Sequence, residues 1–122
     1  MKREILFRGK RIDNEEWVEG SLLITKFNTY IIPMYDESIS YQMPISIISE
    51  TIGQFTGLTD KNGVKIFEGD IMQHANPFDI PFVVNWDSNT ASFVLNDNRS
   101  YCVSDRSFCV IGNIHDNKEL IK

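Results

Sequence analysis

Apolar residues stand at alternate positions over short stretches along most of the chain, and no long window keeps the three-to-four spacing of an amphipathic helix. The pattern predicts an all-β protein. Ile5 and Phe7 begin the alternation, Gly9-Lys10-Arg11 and Asp13-Asn14 supply turn chemistry, and Trp17 to Ile24 resumes an extended pattern, so a hairpin is expected there. Thr29 to Met34 is β-branched and aromatic. Pro33 cannot donate a ladder hydrogen bond, which puts this segment at a sheet edge or a strand end. Between Asp36 and Glu50 the pattern weakens. Ser38, Ser40, Ser46 and Ser49 are interspersed among isolated apolar residues around Pro44, so the stretch reads as a variable connection, with a short strand over Ile45, Ile47 and Ile48 as the alternative.

The second half is more regular. Asn62-Gly63 is the strongest hairpin signal in the chain, because both central residues of a type I′ turn need positive φ and this pair tolerates it best. Val64, Ile66 and Ile71 then read as inward positions. Further strands are expected over Phe82–Trp86, Ala91–Leu95, Ser100–Val103 and Phe108–Ile111, with turn residues between each pair, and one short helical turn near Asp116 or Asn117. About five short strands at even spacing suit a small closed barrel, since closure removes exposed edges. The expected architecture is therefore an N-terminal β-hairpin or meander over residues 1–50, attached to a small SH3-like β-barrel over residues 51–122.

Composition bounds this picture. A chain of 122 residues with 42% apolar content fits one domain, or one domain with a small satellite, and needs no disulfide to fold. The formal net charge of -5 repels polyphosphate at long range. Its distribution is uneven: Lys2, Arg3, Arg8, Lys10 and Arg11 against Glu4 give residues 1–11 a local +4, so the remainder carries -9. No apolar run approaches a bilayer span and no signal-type segment follows the basic N-terminus, so a cytoplasmic protein of a bacterial host is expected, without membrane association.

Candidate chemistry is sparse. Asp60-Lys61-Asn62-Gly63 resembles the start of a calcium loop, but the remaining ligands of such a loop are absent and a hairpin turn explains the spacing. Glu68-Gly69-Asp70 puts two carboxylates around a glycine. Paired carboxylates can divide acid and base work, and a turn entering a strand accounts for the same residues. Asp60, Glu68 and Asp70 are the carboxylates a hydrolase would use. His74 and His115 have no second ligand at zinc-site spacing, and Cys102 and Cys109 lack Cys-x-x-Cys spacing, though neighbouring strands could bring them together. No metal and no cofactor is expected. Nucleophile elbows and phosphate loops are missing. An aromatic and basic cluster, Phe7, Lys10, Arg11 and Trp17, could bind single-stranded nucleic acid, with solvated charge on a hairpin as the simpler reading.

Phe7-Arg8-Gly9, Trp17-Val18-Glu19-Gly20, the block from Gln54 to Gly63 with Ile66-Phe67-Glu68-Gly69-Asp70-Ile71, Trp86, and Ile111 to Asn117 with Glu119-Leu120 together resemble the YopX family of phage and prophage proteins. The resemblance covers almost the whole chain apart from residues 25–50. It implies a mostly β protein encoded by bacterial phages or prophages and carries no biochemical activity with it. The expected function is thus a non-enzymatic accessory protein that works by protein interaction or self-assembly, as a homo-oligomer or with a phage or host protein. Ile5, Phe7, Trp17, Leu22 and Tyr30 supply the apolar surface. Nucleic-acid binding and hydrolysis are the alternatives.

Overall fold

Alternation of side chains across a strand, with turn residues between strands, produces eleven strands and almost no helix among the described residues. The computed structural model describes residues 4–33, 43–74, 80–95, 98–102 and 108–121, the fourth stretch as backbone alone. Among the described residues the helical segments are two 3-10 turns, Ser49–Thr51 and Lys118–Leu120. The strands form antiparallel sheets, and the chain divides into two units, residues 1–55 and 56–122.

In the first unit, β1 (Phe7–Lys10), β2 (Trp17–Ile24), β3 (Thr29–Pro33), β4 (Ile45–Ser46) and the first residues of β5 (Gly53–Thr59) line up in the order β4-β3-β2-β1-β5. Gly9 and Lys10 belong to β1, and the turn to β2 lies over residues 12–14. The register sets Lys10 opposite Trp17, Ile24 opposite Thr29 and Tyr30 opposite Ser46. Pro33 is the last residue of β3 and sits opposite Gly20, beyond the two residues that pair with β4. Leu6, Ile31, Ile47 and Phe55 are buried. Gly9 makes this packing possible: a methyl group there would collide with Ile47 Cγ2, with Ile31 and Ile52 next in line at 3.4 and 3.5 Å.

The second unit holds the rest of β5, then β6 (Lys65–Phe67), β7 (Asp70–His74), β8 (Phe82–Asp87), β9 (Ser92–Leu95), β10 (Asn98–Cys102) and β11 (Phe108–Asn113). Five of these form a sheet in the order β10-β9-β8-β7-β11. Ile66, Met72, Val84, Leu95 and Phe108 make one core cluster, with Phe82, Phe93 and Val110 packed against it. Phe108 meets Phe82 and His74 edge to face, at centroid distances of 5.7 and 5.2 Å. Ile71 and Met72 point to opposite faces of β7 and both are fully buried, so this strand is covered on both sides. Lys118–Leu120 follows Asn117 as the expected short helical turn.

The all-β expectation holds, but the barrel does not: the sheets are open. Closure would need a strand against the outer edge of β11, and there the Val110 N–H donates instead to the Asp60 carboxylate at 2.9 Å. A side chain caps the edge that a strand would have covered. The Asn62-Gly63 turn also differs in type. Among the described residues Glu15 and Ala91 are the non-glycine residues with positive φ, so Asn62 is not among them, while Gly63 has φ of 81°. Gly63 N–H donates to Asp60 O at 3.0 Å and Asp60 N–H to Val64 O at 2.8 Å, the pattern of a type I turn closed by a G1 bulge. Val64 therefore lies at the turn, before β6 begins, and is 47% exposed rather than inward.

Replacing Gly9 by Ala should cost about 1–3 kcal/mol through overpacking against Ile47. Urea unfolding of Gly9→Ala, Ile47→Ala and the double variant checks the cause. The double variant should be more stable than additivity predicts by about 0.5 kcal/mol or more; strict additivity would mean that Ile47 is not what Gly9 makes room for.

Candidate functional site

Strand pairing decides which members of the basic and aromatic cluster share a face. Directly opposed residues on antiparallel strands point the same way, so Lys10 shares a face with Trp17, and Arg8 with Glu19. Lys10 Nζ lies 5.6 Å and Arg8 Cζ 4.7 Å from the Trp17 ring centroid, both in cation–π range. Alternation turns Phe7 and Arg11 to the opposite face. Arg11 forms a two-pronged ion pair with Asp13, Nε to Oδ1 at 2.9 Å and Nη2 to Oδ2 at 2.8 Å. That hydrogen-bonded pair raises the Arg11 pKa and lowers that of Asp13. The structure thus brings Lys10 and Trp17 together, adds Arg8, and separates Phe7 and Arg11 from them.

Charge near this face is balanced. Asp13, Glu15, Glu16 and Glu19 follow the basic run closely, so residues 1–19 together carry no formal net charge. Lys2 and Arg3 lie outside the described residues. The Arg8 guanidinium also occupies part of the Trp17 ring surface that a base would need for stacking.

The three candidate carboxylates sit in turns of the second unit. Asp60 is buried, 4% exposed, and accepts three backbone amides: Oδ1 takes the N–H of Asn62 at 2.8 Å and of Val64 at 2.9 Å, and Oδ2 that of Val110. Burial alone would raise its pKa. The amides of Val110, Val64 and Asn62, with Lys61 nearby, outweigh burial and hold it below the ordinary 3.8. Asp70, 1% exposed, accepts the Phe67 N–H at 2.7 Å and so closes the turn at Glu68-Gly69. Glu68 is half-buried between them in sequence. Asp60 and Asp70 are accounted for by the turns they hold.

Among the described residues no three His, Cys, Asp or Glu side chains are grouped as metal ligands. Cys109 is a free thiol opposite Gln73, one residue on from the pair formed by His74 and Phe108. The side chain of Cys102 lies outside the described residues, and its strand, β10, is not a neighbour of β11 in the sheet order.

A site not singled out from the sequence lies in the first unit. A groove of about 440 Å³ is bounded by Ile12, by the β2–β3 turn from Thr25 to Thr29, and by residues 47–50. Hydrogen bonds fix its walls. Thr25 N–H donates to Asn28 O at 2.9 Å and Asn28 N–H to Thr25 Oγ1 at 3.1 Å, while Ile12 N–H donates to Ser46 O and Ile47 N–H to Thr29 O. Ser49 Oγ donates to Thr29 Oγ1 at 3.3 Å, joining the turn to residues 47–50. The lining is mostly polar, and within it Phe27 is 83% exposed and Ile12 59%; Ile24, 69% exposed, stands just before the turn. Lys26 stands on one wall and Glu50 on the other. An aromatic residue inside a four-residue polar turn, Thr25-Lys26-Phe27-Asn28, is the sequence signal that marks it.

Two outcomes follow. Asp60→Asn turns one acceptor into a donor facing a buried amide and should cost about 2–3 kcal/mol at pH 7. Because the folded pKa is depressed, the carboxylate's contribution is present above the ordinary pKa and is lost as pH falls through the lower folded value. Urea titrations at pH 7 and in acid should therefore show the gap between the two proteins closing below pH 3.8; a constant gap would remove the carboxylate's role. Secondly, single-stranded oligonucleotides at about 50 mM salt, where the electrostatic term is strong, should show no binding by anisotropy. Salt-dependent binding abolished by Lys10→Glu would reinstate the basic face as a nucleic-acid site.

No curated protein matches this chain. Among solved structures, the crystal structure of protein EF1440 from Enterococcus faecalis is similar over 99% of this chain and 100% of that one, with 27% identity and a TM-score of 0.66. The family model described as YopX protein matches residues 6–122, nearly the whole length, and covers both units just described. The chain belongs to the YopX protein family.

Proposed function

We propose that this chain is a non-enzymatic accessory protein of a bacterial phage or prophage that acts inside the host cell by binding protein through its first unit. The observation that carries the reading is Phe27, held 83% exposed on a hydrogen-bonded turn beside a groove, with Ile12 and Ile24 exposed as well. Large apolar side chains displayed together on an ordered surface mark interaction sites. The groove's charges are one lysine and one glutamate, which favours a partner of mixed character over a polyanion. The buried carboxylates Asp60 and Asp70 have structural partners, which favours a binding role over hydrolysis. No helix among the described residues is long and apolar enough to cross a membrane.

Affinity capture of the tagged chain from an induced lysogen, with nuclease treatment, tests this reading. A defined protein should remain after nuclease, bind again when both components are purified, and be lost with Phe27→Ser. Capture that disappears with nuclease would replace protein binding by nucleic-acid binding, and a partner that Phe27→Ser still holds would move the site elsewhere.

A further inference from the structure

We propose that Asn62-Gly63 is a site of self-modification, where the chain rewrites its own turn by deamidation, and that the hydrogen bonds of Asp60 set the rate. The inference goes beyond the protein-binding reading and is independent of it. Among the asparagines of the chain Asn62 alone precedes a glycine, which has no side chain to hinder attack by its backbone nitrogen. Both residues are exposed, and apart from the chain neighbours of Gly63 no atom lies within 4 Å of the place where a Cβ on it would stand.

The reaction uses only the chain and water. The Gly63 nitrogen gives up its proton and bonds to Asn62 Cγ; the Cγ–Nδ2 bond breaks, and Nδ2 leaves with that proton as ammonia. Water then opens the cyclic imide. Opening between Cγ and the Gly63 nitrogen yields aspartate. Opening at the main-chain carbonyl of residue 62 yields isoaspartate, whose peptide link runs through Cβ and Cγ and whose former carbonyl is a free carboxylate.

The folded turn holds the nucleophile away from its target. Gly63 N–H donates to Asp60 O at 3.0 Å, and the N–H groups of Asn62 and Val64 both donate to Asp60 Oδ1, at 2.8 and 2.9 Å. Ring closure has to break the first of these bonds, so it proceeds from the fraction of molecules in which the turn is open. The product then acts back on Asp60. Isoaspartate lengthens the main chain inside the loop that Asp60 and Val64 close. Either product sets a second negative charge beside a buried carboxylate, which favours its protonation. Asp60 loses its hold on the Val110 N–H, and the edge of β11 that it caps is uncovered. A slow, irreversible change at one turn thus reports the age of the molecule at a strand edge.

Peptide mapping by mass spectrometry tests this on the full chain aged at neutral pH in buffer and in urea, with isoaspartyl methyltransferase labelling to detect the iso product. Asn62 should be the first asparagine converted in both. In buffer it should convert at least about tenfold more slowly, which corresponds to an opening free energy of about 1.4 kcal/mol or more. The Gly63 amide should be protected from hydrogen exchange by the same factor. Asp60→Asn, shown to be folded by circular dichroism, should lose most of the retardation; if that variant does not fold, the exchange measurement on the native chain decides. Aged protein, compared with Asn62→Gln aged alongside it, should show faster exchange at Val110 and a lower urea midpoint. Equal rates in buffer and urea overturn the control by Asp60, and so does a Gly63 protection that differs from the retardation. An Asn62 still intact in the folded chain when the Gly63 exchange rate requires its conversion overturns the modification itself. Converted protein with an unchanged Val110 amide overturns the link to β11.

Discussion

An ionised carboxylate can satisfy several amide donors at once, and Asp60 satisfies three from places far apart in sequence: Asn62 and Val64 in its own turn, and Val110 on β11. Much of the second unit depends on that convergence. The bonds to Asn62 and Val64 fix the turn as a three-residue loop with Gly63 at positive φ, and the turn in turn sets which residues of β6 face the core. Ile66 is delivered inward, and Lys65 is left at the surface side. The bond to Val110 acts on the other end of the problem. An outer strand presents unpaired amides, and an amide buried without a partner costs about as much as a lost hydrogen bond. By accepting that amide, Asp60 does locally what barrel closure would have done along the whole strand, and the sheet remains open.

The first unit is governed by a simpler constraint, the two-residue period of a strand. Counted along the chain, Arg8, Lys10 and Arg11 are one basic cluster. Folded, Arg8 and Lys10 lie over Trp17 while Arg11 turns away to Asp13. The same period assigns Gly9 to the face that carries Ile47 and Ile31, where any side chain would collide. A strand whose one face is glycine and apolar and whose other face is cationic over an aromatic ring has little tolerance for a register slip, because a slip by one residue would bury Lys10 and expose the glycine notch. Exposed pairs of this kind add little energy each. Their stronger effect is on register.

What could be read from the sequence follows the range of the interactions involved. Alternation and turn composition act over a few residues, and they gave the all-β class, the β1–β2 hairpin, the strands at Phe82, Ser92 and Phe108, and the short helical turn after Asn117, while the short strand at Ile45 was left open against a loop. The family resemblance gathered in Gln54 to Ile71 and Ile111 to Asn117 was equally local. Barrel closure was not readable, because it depends on what the edge strands meet far away in sequence, as the Val110 amide meets the carboxylate of a residue fifty positions earlier. The turn type failed for the same cause: Asn-Gly by itself favours two positive φ values, and the Asp60 side chain selects a different turn by accepting the Asn62 amide. Of the candidate site residues, pairing joined Lys10 to Trp17 and separated Phe7 and Arg11 from them. The groove was invisible because its walls come from three separate segments.

The turn at Thr25 to Asn28 shows why an exposed aromatic residue there calls for an explanation outside the fold. The bonds that hold the turn are made by the Thr25 hydroxyl and by the backbones of Thr25 and Asn28. None of them requires an aromatic side chain at position 27, and a polar residue would satisfy the same backbone while leaving less apolar surface in water. Asp60, Asp70 and Gly9, by contrast, are each demanded by a neighbour: an amide to satisfy or an isoleucine to admit. Residues whose identity the fold dictates explain the architecture, and they need no further purpose. Phe27 is the reverse case, large, apolar and 83% exposed on a turn that would close without it. Its ring would contribute free energy to any contact that removed it from water, and the fold itself draws nothing from it.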